Sequence, residues 1–326
     1  MKAASYRRYG GPEIVEIVEL PDPVPGPQEL VVRMTATVIG SSDDAGRSGR
    51  PAFARLFFGL RRPKRPVLGW HFVGTVETVG SAVTRFRSGD RVFGTVGSVN
   101  GAHAELILVS EESALLPAPD RLSDDELVSL IDGTLTALPF LRDAANVRPG
   151  QHVLINGATG AVGIAAVQLA KHFGAHVTAV CRSANFELAR SLGADEVVDY
   201  TVEDFSRSGR EYDVVFDVAA ASSFGRSRRS LVAGGLYLTT VPSVAILLRQ
   251  ALTARSRGRR GRILFTGLHS TAAKIADLAE LSRLIDGGRM APVVDSRFTL
   301  DDIVGAHRRV AGGGKTGNVV VTAPVS

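Results

Sequence analysis

The stretch from His152 to Lys171 constrains this chain more than any other. An apolar run, Val153-Leu154-Ile155, passes through Asn156 into a turn of small residues and then into a helix-compatible pattern. The turn holds Gly157, Gly160 and Gly163, with Ala158, Thr159, Ala161 and Val162 between them. Small residues there let the backbone approach a pyrophosphate and let the following helix sit close to a sheet. The helix start offers unpaired N–H groups and a positive dipole end to anionic oxygens. A tight turn with no ligand is the bland alternative, and the downstream pattern argues against it. Residues 174–181 read as a second strand, 187–193 as a helix closed by glycine, 195–200 as a third strand and 212–217 as a fourth. That alternation predicts a parallel sheet covered on both faces, a Rossmann-like doubly wound α/β unit that binds a dinucleotide.

The end of the second strand bears on which dinucleotide. An NAD site usually places a carboxylate there, about twenty residues beyond the glycine turn, to accept both ribose hydroxyls. Here the chain reads Cys181-Arg182-Ser183-Ala184-Asn185. Arg182 can present a guanidinium to a 2′-phosphate, with Ser183 and Asn185 as further donors. NADPH is therefore expected ahead of NADH, which stays possible. The competing reading of Arg182 is a solvated arginine after a strand.

A chain of 326 residues can hold two domains with substantial cores. One cysteine forbids an intrachain disulfide and makes a reducing cytoplasm the simplest compartment. The first ten residues lack a signal-peptide core, and no apolar run approaches the roughly 18 residues of a membrane span. The formal charge of +5 includes a cluster at Arg255, Arg257, Arg259, Arg260 and Arg262. A solvated basic loop is the preferred reading over nucleic acid or anionic lipid, because no aromatic residues interleave the arginines.

The first third differs in texture. Residues 14–20, 29–36, 72–79, 91–94 and 102–109 read as short strands broken by glycine and proline, which suggests a partly closed, barrel-like β domain. Residues 271–286 read as a helix with the apolar stripe Ile275, Leu278, Leu281, Leu284 and Ile285. The tail 318–322 reads as a strand that returns to complete the first block. The expected domains are 1–121, 122–288 for the nucleotide unit, and 289–326 as a segment completing the first, with a cleft between domains.

This arrangement resembles the medium-chain dehydrogenase/reductase superfamily, in its zinc-independent quinone oxidoreductase branch. The resemblance runs through residues 1–3, 10–13, 21–27, 79–94, 135–137, 149–158, 168–171, 192–195 and 314–321. It implies a GroES-like catalytic domain completed by C-terminal strands, a nucleotide domain between those pieces, and a homodimer. It further implies hydride transfer from NADPH to a small-molecule quinone or α,β-unsaturated carbonyl compound. An enoyl or ketone reductase of a biosynthetic pathway is the second enzymatic reading, and a cofactor-binding scaffold without catalysis is the third.

Zinc-dependent relatives carry a Gly-His-Glu segment where this chain has Gly69-Trp70-His71, and its sole cysteine, Cys181, falls at the adenosine end. Tetrahedral zinc has no obvious seat, although His71, His103, Asp43 and Asp44 are the donors that would have to meet. Without a Lewis acid, reduction of an already electrophilic conjugated acceptor is favoured over alcohol oxidation.

The loop Gly40-Ser41-Ser42-Asp43-Asp44 corresponds to the branch's Val-Asn-Pro-x-Asp loop. Gly40 replaces the Asn, Ser41 replaces the Pro, and Asp43 retains the Asp. Ser41 and Ser42 are expected as donors to a substrate carbonyl and Asp43 as a group positioning the cofactor or its neighbouring loop, with a plain capped turn as the alternative; the resemblance implies Thr136 as a neighbour of the nicotinamide, with an ordinary helical threonine as the alternative. Just before Thr136, Ile131-Asp132 departs from the branch's pattern. Tyr200 is expected at the adenosine phosphate and Val241 at the nicotinamide carboxamide. Lys315 is expected at a cofactor phosphate, with a solvated lysine as the alternative, and Asn318 belongs to the same tail motif. His103 is expected as a packed histidine, or else as a proton donor.

Overall fold

The computed structural model describes residues 1–97, 101–253 and 256–323. The chain divides into two compact units: Met1–Asp132 with Ser270–Gly287 and Pro292–Ser326, and Gly133–His269 with Gly288–Ala291.

The first unit is β-rich. Strands β1 (Lys2–Ser5) and β2 (Glu16–Glu19) form an antiparallel pair. β3 (Glu29–Ile39), β4 (His71–Val79), β5 (Arg91–Thr95), β6 (Leu106–Ser110) and β7 (Leu115–Pro117) belong to a seven-stranded sheet. β3 organises that sheet because most of its eleven residues are buried, and it pairs with both β4 and β6. Leu30, Val32 and Met34 alternate into a core with Phe72, Val92 and Leu115.

The second unit carries β8 (His152–Asn156), β9 (His176–Cys181), β10 (Glu196–Asp199), β11 (Tyr212–Asp217), β12 (Leu231–Thr239) and β13 (Arg260–Ile263). All are parallel, in the order β10-β9-β8-β11-β12-β13. Counted from β8 this is 3-2-1-4-5-6, and the strand order reverses between β8 and β11. The last strands, β14 (Val294–Thr299) and β15 (Asn318–Thr322), return to the first unit. β15 pairs antiparallel with β3, Val319 opposite Ile39, as the tail pattern predicts.

Three local readings are corrected. Residues 40–44, expected as a loop, instead open the helix Ser41–Ser48, whose start is fixed by Asp43 accepting from the Gly40 N–H at 2.9 Å. Residues 102–105 precede β6 rather than belonging to it, and are held by backbone bonds such as His103 N–H to the Leu68 carbonyl, 3.0 Å. The arginine cluster is a solvated loop only in part: Arg257 is exposed ahead of β13, and the next three arginines are not in a loop of that kind. Arg260 and Arg262 lie on edge strand β13, Arg259 Nε donates to the Leu231 carbonyl at 2.6 Å, and Arg262 donates to the Ala144 carbonyl at 3.2 Å. An edge strand accepts such side chains because their stems pack while their heads reach carbonyls or water. Arg255 lies outside the described residues.

The units also differ from the expected domain limits. Helix Thr271–Asp286 packs on β7 and clusters with the first unit. So does the start of helix Asp124–Leu138, where Asp124 accepts from Arg91 Nε at 2.6 Å.

Candidate functional site

At the C-terminal end of β8 the three glycines of the turn have different physical reasons. Gly157 has φ +87°, and a Cβ there would lie 2.8 Å from the Ala219 Cβ beyond β11. A Cβ on Gly163 would lie 2.1 Å from the Gly157 carbonyl oxygen, so helix Ala161–His172 rests directly on the turn. A Cβ on Gly160 would meet nothing closer than that same oxygen at 3.6 Å. Gly160 therefore has room for a Cβ in ordinary contact and carries none, at the start of a helix with no side-chain cap. These are the three roles that a pyrophosphate-binding turn assigns to its glycines. Ala161 and Val162 open the helix, and Ala158 and Thr159 are buried beneath the turn.

Polar ties fix this edge. Thr159 Oγ1 accepts from Asn185 Nδ2 at 3.3 Å. Asn156 Nδ2 donates to Asp217 Oδ1 at 2.9 Å, and the Asp217 carboxylate also accepts from the N–H groups of Ala221 and Ser222 and from the Tyr237 hydroxyl at 2.9 Å. Burial, followed by the facing carboxylate, pushes the Tyr237 hydroxyl well above its ordinary pKa. Asp217 holds β8, β11 and β12 in one arrangement where their ends meet. Sequence reasoning assigned it no role, although an aspartate closing the run Val214-Val215-Phe216 was a readable signal.

At the neighbouring strand ends, Arg182 Nε donates to the Tyr200 hydroxyl at 2.7 Å. Asp199 is the acidic residue that sequence reasoning overlooked here, because it arrives from β10, opposite Cys181. Its oxygens accept from Thr201 Oγ1 at 2.7 Å, Thr201 N–H at 2.8 Å and Ser183 N–H at 3.0 Å. The Thr201 hydroxyl leads the effects that lower its pKa to about 2. Burial pushes the Cys181 thiol up to about 11, so it is protonated at neutral pH. Val241 lies two residues beyond the end of β12, with its N–H directed to Thr239 Oγ1 at 3.4 Å. Thr136 is partly buried on helix Asp124–Leu138.

In the first unit, Ser41 and Ser42 are exposed at the start of their helix. Asp43 is buried, with one oxygen accepting from Gly40 N–H at 2.9 Å and the other from Gly69 N–H at 3.2 Å. Burial raises its pKa, opposed first by His103. His71 Nδ1 lies 3.9 Å from Asp132 Oδ1, both side chains partly buried. Burial lowers the His71 pKa, and the Asp132 carboxylate opposes that shift. Lys315 and Asn318 are in this unit. Lys315 Nζ donates to the Gly317 carbonyl at 2.7 Å, and burial lowers its pKa. Asn318 is buried and donates to the Ser129 carbonyl at 2.6 Å. His103 is fully buried, its Nε2 3.1 Å from the Val38 carbonyl oxygen.

Three of the four residues weighed as zinc donors have other hydrogen-bond partners, Asp43 the backbone, Asp44 the Arg47 guanidinium and His103 the Val38 carbonyl, and the fourth, His71, faces Asp132 at 3.9 Å. Among the described residues, no group of three or more His, Cys, Asp or Glu side chains is placed to hold a metal. Nor is any helix among them long and apolar enough to cross a membrane.

Two family models match the chain, an alcohol dehydrogenase GroES-like domain over residues 26–120 and a zinc-binding dehydrogenase over residues 192–321. The chloroplastic quinone-oxidoreductase QR1 of Triphysaria versicolor is 31% identical across 98% of both chains. The chain belongs to the quinone-oxidoreductase-like branch of the medium-chain dehydrogenase/reductase superfamily. A quinone oxidoreductase of Pseudomonas aeruginosa is 30% identical, covering 98% of this chain and 99% of the relative. The structure of the Coxiella burnetii quinone oxidoreductase superposes with a TM-score of 0.87 at 26% identity over 99% of each chain. Within this quinone-oxidoreductase-like frame, the departures at Gly40 and Asp132 are spatial neighbours: a Cβ on Gly40 would lie 3.3 Å from Asp132 Oδ2.

Proposed function

We propose that this chain is an NADPH-dependent reductase that delivers hydride to a quinone or an α,β-unsaturated carbonyl compound without using a metal. The observation that carries this reading is the open face of Gly160 over an uncapped helix start, at the point where the strand order reverses. That cradle fits a pyrophosphate: the helix start provides backbone donors and Gly160 brings no Cβ to block approach.

The choice of NADPH is supported by the strand ends beside the turn. Arg182 and Tyr200 offer a guanidinium and a hydroxyl there, while Asp199, the nearby acid, already accepts three hydrogen bonds. Ser183, and Asn185 through its tie to Thr159, complete the proposed adenosine-side set. Backbone groups around Val241 and the Thr136 hydroxyl are proposed for the nicotinamide end. Lys315 and Asn318 have polar atoms engaged with Gly317 and Ser129, so they add little support as cofactor contacts.

When bound, the nicotinamide supplies a hydride. The chain must hold the acceptor, stabilise the negative charge that develops on its oxygen, and provide a proton. The exposed Ser41 and Ser42 hydroxyls are suited to donate to that oxygen, and Asp43 holds their helix start in place through Gly40 and Gly69. His71 beside Asp132 is the imidazole–carboxylate pair suited to pass a proton. The pairing of a quinone or enone with this site rests on chemistry: a conjugated acceptor spreads charge without a Lewis acid. A homodimer in a reducing cytoplasm completes the proposal. Exposed Val244, Leu247, Leu248 and Leu252 on the helix that packs against edge strand β13 support a second copy there.

The test is to incubate the purified protein in EDTA with NADPH or NADH and a panel of quinones, enones, aldehydes and alcohols, following nicotinamide absorbance. NADPH oxidation by quinones or enones that EDTA does not suppress is the expected result. Turnover confined to alcohols, or abolished by the chelator, would overturn the reading.

A further inference from the structure

Between Asp44 and Glu77 the sequence contains no acidic residue, yet it contains Arg47, Arg50, Arg55, Arg61, Arg62, Lys64 and Arg65. Arg47 is buried, and the other six are exposed. In their midst, helix Ala54–Phe58 is turned the wrong way for a solvated element. Ala54 is buried and Phe58 is partly buried, its ring 6.3 Å from Trp70 and edge-on to it. Leu56 is 66% exposed, Phe57 58% and, just past the helix, Leu60 68%. The segment is held from below by the Tyr9 hydroxyl on the Gly59 carbonyl and by Lys64 N–H on the Phe58 carbonyl at 2.8 Å.

We infer that this knuckle, residues 50–66, is a docking surface for an anionic lipid bilayer. Large apolar side chains ringed by cations, with no acid in the surrounding sequence, match an interface where hydrocarbon lies under negatively charged headgroups. Arg61, Arg62, Lys64 and Arg65 would lay their stems along the apolar side chains and their heads among the phosphates, whereas Arg55 holds its head over the Tyr9 ring and on the Gly49 carbonyl. Nucleic acid fits less well, because two of the three most exposed apolar side chains, Leu56 and Leu60, are aliphatic and offer no ring for base stacking. The surface would bring the protein to a membrane without crossing it, and this inference goes beyond the proposed reductase activity.

The experiment uses the full chain with vesicles of phosphatidylcholine alone or with about 30% phosphatidylserine. Co-sedimentation with the anionic vesicles at low salt is expected, with little on neutral ones and a steep loss as salt rises. The single tryptophan, Trp70, sits against this segment, and its emission should shift on binding. Each basic residue at such a surface contributes roughly a fivefold gain in partitioning, so the joint change R61E, R62E, K64E and R65E should abolish binding. Leu56→Ser with Phe57→Ser should lower it by about tenfold, since apolar burial contributes separately. Both variants alter exposed positions, and an unchanged unfolding midpoint would show that the fold is intact. Equal binding to neutral vesicles, no binding to anionic ones, or a serine variant that binds like the parent would each overturn the proposal. So would tighter binding to polyuridylate than to anionic vesicles of equal phosphate content.

Discussion

The Asp132 carboxylate stands 3.3 Å from the point where a side chain on Gly40 would begin. These two positions depart from the pattern of the family, and they compete for one volume. Gly40 has φ −107°, which any residue adopts, so the glycine answers a spatial constraint and not a backbone one. Gly40→Asn should therefore be tolerated poorly with Asp132 in place and better alongside Asp132→Ala. Contacting residues couple by about 0.5–3 kcal/mol in a double-mutant cycle, and denaturant unfolding of the four proteins measures it. Additivity within about 0.3 kcal/mol would show that the two sites ignore each other.

The glycine turn separates folding from binding at neighbouring positions. Gly160→Ala adds a carbon at an ordinary contact distance, 3.6 Å from the Gly157 carbonyl oxygen, and at φ −78°, so the free protein should keep its unfolding midpoint. That carbon would occupy the approach of a phosphate, so a given stabilisation by NADPH should require at least tenfold more ligand. Gly163→Ala places a carbon 2.1 Å from a backbone oxygen that cannot give way. It should destabilise the free protein by about 2–4 kcal/mol. Thermal unfolding with and without nucleotide separates the outcomes, and a Gly160→Ala protein with unimpaired nucleotide stabilisation would remove the cradle from the proposal.

What could be read from the sequence divides along the same physical line. The succession of β8 to β12 along the chain, their parallel pairing and the return of β15 to β3 are legible because buried strands and small-residue turns leave local patterns, whereas the order of the strands within the sheet is not. The apolar run of residues 262–266 reads as a strand, whereas β13 spans Arg260–Ile263, because an edge strand of sequence Arg-Gly-Arg-Ile lacks the apolar run that marks a central one. Asp199 and Asp217 were missed for a different reason. Each acts across the sheet, on Ser183 beyond β9 and on Asn156 of β8, and such partners are far apart in the chain. The Asp132–His71 approach has the same character, joining residues that sit on different elements.

Arg182→Ala tests the adenosine side directly. Removing the guanidinium takes away a charge-assisted contact worth about 1.5–3 kcal/mol, so the affinity for NADPH should drop by roughly ten- to a hundredfold. NADH, which lacks the 2′-phosphate, should be affected far less. Tyr200→Phe should produce a smaller shift in the same direction, since the hydroxyl orients the Arg182 head at 2.7 Å. Titration of both nucleotides against both variants reads the ratio. Equal losses for NADPH and NADH would place the 2′-phosphate elsewhere.

His307 sets an acid limit on the fold. Its ring is fully buried, neither nitrogen has a hydrogen-bond partner among the described residues, and the His103 ring lies 6.1 Å away centre to centre. Burial, followed by His103 and Arg47, holds its pKa down to about 2 from an ordinary 6.5. In the unfolded chain the same ring takes up a proton near 6.5, so over the window from there down to about 2 the unfolded state binds more protons. Stability should fall with falling pH across that window, by up to about 1.4 kcal/mol per pH unit from this group. His71, also lowered by burial, acts in the same direction, whereas Asp43, raised by burial, acts oppositely above the ordinary carboxylate range. The contribution of His307 is therefore read as a difference: urea unfolding of the parent and of His307→Leu, measured from neutral to mildly acid pH. The variant should lose less stability per pH unit than the parent. Parallel pH profiles would mean that the ring takes up its proton in the folded protein as readily as in the unfolded chain.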